Sequence, residues 1–368
     1  MFNFFRNRNN KKLSGTELRK DEITIVMPAY NAEAYIAESV ESIIQQNISD
    51  WTLLVLDDGS TDRTAEIVRD FSRRYSKIKL LQNGKQLGPS AQRNIGIEMA
   101  TTEYLAFLDS DDMMSPNSLE DRREILNSDP FACAAYSLVR LVDPTGSPMG
   151  LNGTKGAIIN FTDLVENKFI TSCIFSRTQI LKQLGGFDKA FKFGEDWDLW
   201  LRMTRLGYYI KSSPDSFVEY RQHGNSFSHK HIYEDFCDRM RVSERAWGRD
   251  DRVPEALEDF SYGLGSACQT MTRSKKAFLA CISAIFDGNI KAAENLLELV
   301  RFDLLNLTDP EAIADGTKWT VMRNISLPME QWNDIRKSQK DALKRFFESR
   351  SSEPQRSFVS RYIKHLTE

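Results

Sequence analysis

Three short acidic clusters carry the residues best suited to chemistry: Asp57-Asp58-Gly59-Ser60, Asp109-Ser110-Asp111-Asp112 and Gly194-Glu195-Asp196-Trp197-Asp198. Asp109 and Asp111 stand one residue apart, directly after the apolar run Tyr104-Leu105-Ala106-Phe107-Leu108, where a buried strand gives out into a turn. Two carboxylates released from a strand in this way can converge on a hard divalent cation. Mg2+ and Mn2+ prefer oxygen ligands and keep places for water and phosphate. A purely structural turn is harder to sustain, because Asp109, Asp111 and Asp112 repel one another unless a cation offsets them. Asp57-Asp58 has the same placement. It reads as an Asp-Gly turn with Ser60 or Thr61 capping the next helix, while one carboxylate reaches outward to a base or ribose. Glu195 and Asp196 open a helix, where negative charge suits the helix dipole, so capping alone would account for them in isolation. His223 follows a strand-like run, whereas His229, His231 and His365 have no such setting.

These clusters need a frame that brings them together. Residues 23–28 form a β-branched run stopped by Pro28, which predicts a buried strand. Asn31 is placed to cap a helix through about Gln46, with Ile36, Val40, Ile43 and Ile44 on one face. A second strand over 51–60 leads to a helix from Thr61 to about Tyr75. A third strand over 78–83 leads to a helix over 90–100, and a fourth strand spans 103–112. This alternation predicts parallel, right-handed βαβ units with both sheet faces covered. In open sheets of this type ligands bind beyond the carboxyl ends of the strands. Those ends carry Pro28-Ala29-Tyr30, Asp57-Asp58-Gly59 and Asp109-Ser110-Asp111, so the chemistry gathers on one rim. Strands are also expected near 132–142, 170–177 and 216–221, a turn at 184–188, and a helix over 195–207 ended by Gly207. From about 230 to 368 the pattern is helical, clearest at 277–286, 292–305 and 332–347.

Composition narrows the class. The chain has 368 residues, 41% of them apolar and 27% charged, which is enough to build a sizeable core. Its 49 Lys+Arg against 52 Asp+Glu leave a net charge of −3, and no field for nucleic acid. The five Cys include no C-x-x-C pair, which argues against structural zinc or a disulfide framework and fits a reducing compartment. The longest strongly apolar run, Ala277–Phe286, is too short for a membrane span. A soluble cytoplasmic protein is expected.

Taken together, the motifs carry a resemblance. TIVMPAYNAEAYIAESVESIIQQ (24–46), LLVLDDGSTDRTAEIV (53–68), GPSAQRNIGIEMA (88–100), EYLAFLDSDD (103–112), GGFD (185–188), GEDWDLWLR (194–202) and YRQHGNS (220–226) occur in order. The chain resembles a family 2 glycosyltransferase of the GT-A fold, within the nucleotide-diphospho-sugar transferases. That implies an α/β, Rossmann-like, mainly parallel mixed sheet flanked by helices over 22–228. A flexible basic arm over 1–21 would precede it, and a mostly α-helical region over 229–368, with no motif of its own, would follow.

The resemblance also implies roles. Tyr30 would stack on the nucleotide base beside backbone contacts from Pro28 and Ala29. Asp58 would bond the base edge. Arg93 would sit near the base or diphosphate, with Asn94 supporting that wall. Asp109, beside Ser110, would face the ribose or a metal-bound water. Asp111 would bind Mn2+ or Mg2+, with His223 as a late metal or diphosphate contact. Asp196 would be the general base, and Glu195 and Trp200 would line the acceptor side. The activity implied is inverting, metal-dependent transfer of a hexosyl or N-acetylhexosaminyl group from a nucleotide-diphospho-sugar, UDP-linked by expectation. The acceptor would be the hydroxyl of a saccharide or lipid-linked molecule in polysaccharide or glycoconjugate synthesis.

A dinucleotide-binding oxidoreductase is set aside, because Pro-Ala-Tyr-Asn stands where G-x-G-x-x-G would follow the first strand. The rival from another class is a non-catalytic sugar-nucleotide or partner-binding protein whose helical tail is the working part. Basic residues of the tail lie near Phe346, Phe347, Phe358 and Tyr362, and with the N-terminal arm they suggest peripheral contact with an anionic membrane.

Overall fold

Aliphatic and β-branched runs set the strands, and the alternation of apolar and polar residues between them sets the helices. The computed structural model describes residues 18–152, 156–165, 173–223, 231–263, 269–300, 313–314, 332–350 and 353–367. The first half alternates as expected: β1 (Arg19–Ala29), α1 (Ile36–Ile44), β2 (Trp51–Asp57), α2 (Thr64–Arg74), β3 (Ile78–Gln82), α3 (Pro89–Met99) and β4 (Thr102–Phe107). Then come β5 (Met113–Met114), α4 (Ser118–Ser128), β6 (Ala132–Val142), β7 (Pro148–Asn152), β8 (Ile158–Ile159), α5 (Phe161–Val165), β9 (Ile174–Arg177), α6 (Thr178–Gln183), α7 (Glu195–Arg205) and β10 (Tyr209–Arg221).

The strands form one mixed, mainly parallel sheet in the order β3-β2-β1-β4-β9-β6-β10-β5, with β7 on β6 and β8 on β10. β1, β2, β3 and β4 run parallel, and β9 is the antiparallel strand that joins β4 to β6. Register decides where the chemistry lies. Ala29 pairs with Asp57, Asp57 with Gln82, and Val26 with Phe107. β1, β2 and β3 therefore end level, β4 stops opposite Val26, and the residues that follow the four strands lie toward one rim.

Side chains of β1 alternate between the faces. Ile23, Ile25 and Met27 pack with Val40 of α1 and Phe71 of α2, while Val26 packs with Ile97 of α3 on the other face. Gly96 makes the second contact possible: a Cβ there would lie 2.5 Å from both γ-carbons of Val26.

Several local expectations are corrected. Arg19, Lys20 and Asp21, expected in the basic arm, belong to β1; residues 1–17 of that expectation lie outside the described residues. Asn31 is not a helix cap. Its φ is +49° and α1 begins only at Ile36. Ser60 and Thr61 do not cap α2 either, since the Thr64 N–H is taken at 2.9 Å by Asp62 Oδ1. β10 begins at Tyr209 rather than near 216, because Tyr209–Ser212 pair with β6 before an irregularity in the register. Lys211-Ser212-Ser213-Pro214 gives no local strand signal, and the pairing supplies it.

The C-terminal region is helical: α8 (Ile232–Trp247), α9 (Gln269–Phe286), α10 (Ile290–Val300), α11 (Trp332–Ser338), α12 (Lys340–Glu348) and α13 (Glu353–Thr367). Among the described residues it has no separate core. One apolar cluster runs from Val26 and Phe107 of the sheet through Trp200 of α7 to Phe278, Phe347 and Tyr362. The rings of Phe278 and Tyr362 meet edge-on at 4.9 Å. Phe346, Phe347, Phe358 and Tyr362 are all buried, so these aromatics hold the helices together instead of facing a membrane. No helix among the described residues is long and apolar enough to cross a bilayer.

Candidate active site

Tyr30, immediately after β1, is 46% exposed. Pro28 and Ala29 close the strand behind it, with Ala29 buried. The left-handed turn at Asn31 serves the site: its N–H donates to Ser60 Oγ and its Oδ1 accepts from Thr61 N–H, both at 2.9 Å. The loops after β1 and β2 are thereby locked together. Asp57 is fully buried and accepts from Ser60 N–H and Gln82 Nε2 at 3.1 and 3.0 Å.

Asp58 is 4% exposed, and its carboxylate turns toward the loop before α3. Oδ1 accepts from Leu87 N–H at 2.7 Å and from the Gln92 side chain, while Oδ2 accepts from Gly88 N–H at 2.7 Å. Asp58 thus fixes the 87–88 loop and the start of α3.

From that helix Arg93 reaches into the centre. It is 4% exposed and donates to Asp109 Oδ1 at 2.7 Å and to Glu195 Oε1 at 2.8 Å. Burial disfavours its charge, but the two carboxylates more than offset this and hold the guanidinium above its ordinary value. Glu195 does not share the benefit. Burial, then repulsion from Asp196, raises its carboxyl despite Arg93. Asp196 is also raised by burial, against the pull of the Arg239 charge and a 2.7 Å bond from Trp197 N–H. Two adjacent carboxylates with raised affinity for a proton therefore open α7.

The turn after β4 splits by burial. Asp111 is partly exposed and places Oδ2 at 3.0 Å from His223 Nε2, so two residues 112 apart in sequence are brought together. The His223 ring also lies 5.0 Å from the Tyr35 ring. Ser110 contributes its carbonyl, which accepts from Ser39 Oγ at 3.0 Å. Asp112 is buried, accepts from Arg221 N–H at 3.0 Å, and has Cys173 beside it. Among the described residues, Asp109, Asp112 and Cys173 bring three ligand atoms within 4.8 Å of one another. Burial pushes both the Asp112 carboxyl and the Cys173 thiol well up, each helped by neighbouring negative charge.

The 185–188 turn is pinned to α3. Asn94 Nδ2 donates to Phe187 O at 2.8 Å and Asn94 Oδ1 accepts from Phe187 N–H at 2.7 Å. A Cβ on Gly186, at φ +71°, would lie 2.2 Å from Asn94 Oδ1, so the turn requires glycine. Trp200, expected to line the acceptor side, is fully buried, with its ring 6.2 Å from that of Phe187.

With this geometry in place, similarity to known proteins becomes informative. The sequence pattern of the glycosyl transferase family 2 matches residues 24–185. A glucosyltransferase of Escherichia coli, named as UDP-Glc:alpha-D-GlcNAc-diphosphoundecaprenol beta-1,3-glucosyltransferase, is 33% identical over 188 residues, covering 50% of this chain and 70% of that protein. The chain belongs to the family 2 glycosyltransferases. A teichuronic acid biosynthesis glycosyltransferase of Bacillus subtilis, assigned putatively, is 27% identical over 62% of this chain and 86% of its own length. Among solved structures, residues 1–349 of TarS from S. aureus, in complex with UDP-GlcNAc, superpose with a TM-score of 0.56 at 17% identity, over 85% of this chain and 92% of that one. The fold is therefore GT-A, and the protein is a sugar-transferring enzyme.

For this glycosyltransferase, two arginines escaped the reading of sequence alone. Arg221 is buried and donates to Asp111 O, Pro144 O and Glu38 Oε2 at 3.1, 2.9 and 2.6 Å, which holds the aspartate turn in place. Its signal was its position two residues before His223, at the end of a strand. Arg239 lies in the helical region, where no motif pointed to it.

Proposed function

We propose that the enzyme is a metal-dependent, inverting glycosyltransferase that moves a sugar from a UDP-linked donor to a hydroxyl of a saccharide or lipid-linked acceptor. The observation that carries the reading is the double ion pair of Arg93. It ties Asp109, on the aspartate turn, to Glu195, on the helix that carries Asp196. This pairing supports a site in which a donor side at Asp109 and an acceptor side at Glu195 and Asp196 meet.

The partly exposed pair Asp111 and His223 fits a divalent cation better than the buried trio does. Asp112 and Cys173 are held toward their neutral forms, and the Asp112 oxygens already face Arg221 N–H and the thiol. A hard cation wants charged oxygen. Asp111 and His223 would hold Mn2+ or Mg2+, with Asp109 beside them. When bound, the cation supplies positive charge to the departing diphosphate.

The chain's own residues do the rest. Tyr30 offers its face to the base, and the loop fixed by Asp58 walls the pocket beside it. Asp196 takes the proton of the acceptor hydroxyl as that oxygen attacks C1 and the C1–O bond to the diphosphate breaks. Attack from the opposite face inverts the configuration. A carboxyl raised by burial is a stronger base than a solvated one, and such catalysis contributes about 10²–10⁴-fold. The E. coli relative, named for a UDP-glucose donor and a diphosphoundecaprenol-linked acceptor, favours the same two classes here. Screening UDP-sugars for hydrolysis and transfer, with Mn2+ or Mg2+ and then with chelator, tests the proposal. Metal-dependent turnover of one donor supports it, and undiminished turnover in chelator overturns the metal.

A further inference from the structure

Helix α8 lies beyond the residues matched by the family pattern, yet it touches the loop that launches Glu195 and Asp196. Asp238 Oδ2 accepts from Lys192 N–H and Phe193 N–H at 2.9 and 3.3 Å. The next residue of the loop, Gly194, has φ +68°, and a Cβ there would lie 3.3 Å from Arg239 Cγ and 3.9 Å from Arg239 Cα. The stem of Arg239 therefore covers Gly194 directly. Its Nε is held between both oxygens of Asp235 at 2.8 and 3.0 Å, so the guanidinium is fixed. Arg239 O accepts from Ser243 Oγ at 3.0 Å, and Ser243 Oγ accepts from Lys276 Nζ of α9 at 2.9 Å. Lys276 lies 4.5 Å over the ring of Trp197, the residue after Asp196.

We propose that α8 positions the general base: Asp238 and Arg239 seat residues 192–194, so the helical region is a working part of the active site. This rests on Asp196 being that base. The charged groups around Asp196 are Glu195 beside it, Arg93 and Asp109 across the rim, and Arg239 with its partner Asp235; Lys276 lies over Trp197 next to it. Arg93 is already shared between two carboxylates. Arg239 is the cation contributed by α8, and its positive charge favours the carboxylate form of Asp196. Asp238 and Arg239 touch the loop and not the substrate, so they are positioning residues.

Steady-state transfer by the full chain across pH tests this, with Arg239→Met, Arg239→Lys, Asp238→Ala and Asp238→Asn beside Asp196→Asn. Arg239→Met keeps the packed stem and loses the charge. Its kcat should fall by roughly 10- to 100-fold at unchanged donor KM. The acid limb of kcat should also move up by about one pH unit, because Asp196 then holds its proton to higher pH. Arg239→Lys should leave the limb in place. Asp238→Ala should lower kcat, and Asp238→Asn, which keeps an accepting oxygen, should restore it. A merely structural role would shift thermal stability and leave the acid limb alone. The proposal is overturned if folded Arg239→Met keeps wild-type kcat and limb while Asp196→Asn is inactive. If Asp196→Asn itself transfers at near wild-type rate, the base assignment has failed instead, and this proposal with it.

Discussion

Arg93 and Glu195 stand 102 residues apart in the chain and meet at 2.8 Å. The same guanidinium reaches Asp109 at 2.7 Å, so one buried cation joins α3, the end of β4 and the start of α7. Replacing it by Met leaves Glu195, mostly buried, and Asp109, partly exposed, without their partner. Arg93→Met should cost roughly 3–5 kcal/mol in stability, the range for breaking a buried pair by removing one member. Transfer should be lost in whatever fraction remains folded. Chemical denaturation at neutral pH measures this; a loss under 1 kcal/mol would show that the two carboxylates do not depend on Arg93.

Asp111→Asn should keep the fold and nearly abolish transfer. The side chain is partly exposed, so its charge contributes little to the core, while the pair it makes with His223 loses its anion. Metal titration of the variant should show weakened Mn2+ binding, and wild-type transfer by Asp111→Asn would remove this residue from the metal site.

Asp58→Ala should raise donor KM more than it lowers kcat, since its three bonds shape the 87–88 loop and α3 rather than the reacting atoms. Initial rates over a donor concentration series separate the two. A pure kcat defect would assign Asp58 to the chemistry.

Lys276 gives a test by pH. Burial first, and then Arg239, lowers its ammonium to about 7. The unfolded chain binds that proton below the ordinary lysine value, whereas the folded chain accepts it only near 7. Stability is therefore drained as pH falls from about 10 to 7. Lys276→Met removes that cost, so its advantage over wild type should be larger at pH 7 than at pH 9. Thermal midpoints at the two values decide, and an equal difference at both would mean that Lys276 keeps its charge in the folded state.

Much of this architecture is legible in the sequence because local pattern and burial agree there. The runs at 23–28, 51–60 and 103–112 are apolar enough to read as strands, and parallel pairing puts the acidic ends of the last two on the same rim as Tyr30. Capping was less legible. Asn31 and Ser60 have the chemistry of helix caps, but each finds a partner in the other loop, and no local rule foresees a bond across 29 residues. Trp200 was ambiguous because α7 is buried on most sides, and only packing against Phe187 reveals which way it points. Arg239 was invisible and Arg221 was marked only by its place before His223, because an arginine becomes a positioning group through the turn it holds, which tertiary structure alone brings near.

In the proposed reaction Asp196 takes the acceptor proton. Asp196→Asn removes the basic oxygen at nearly constant size, and Glu195→Gln is its control on the neighbouring carboxylate. The most direct measurement is the single-turnover transfer rate of both variants with donor and metal saturating, together with donor binding by calorimetry. Asp196→Asn should bind donor normally and transfer more slowly by roughly 10²–10⁴-fold. Near wild-type transfer by Asp196→Asn, with the loss appearing in Glu195→Gln, would contradict it.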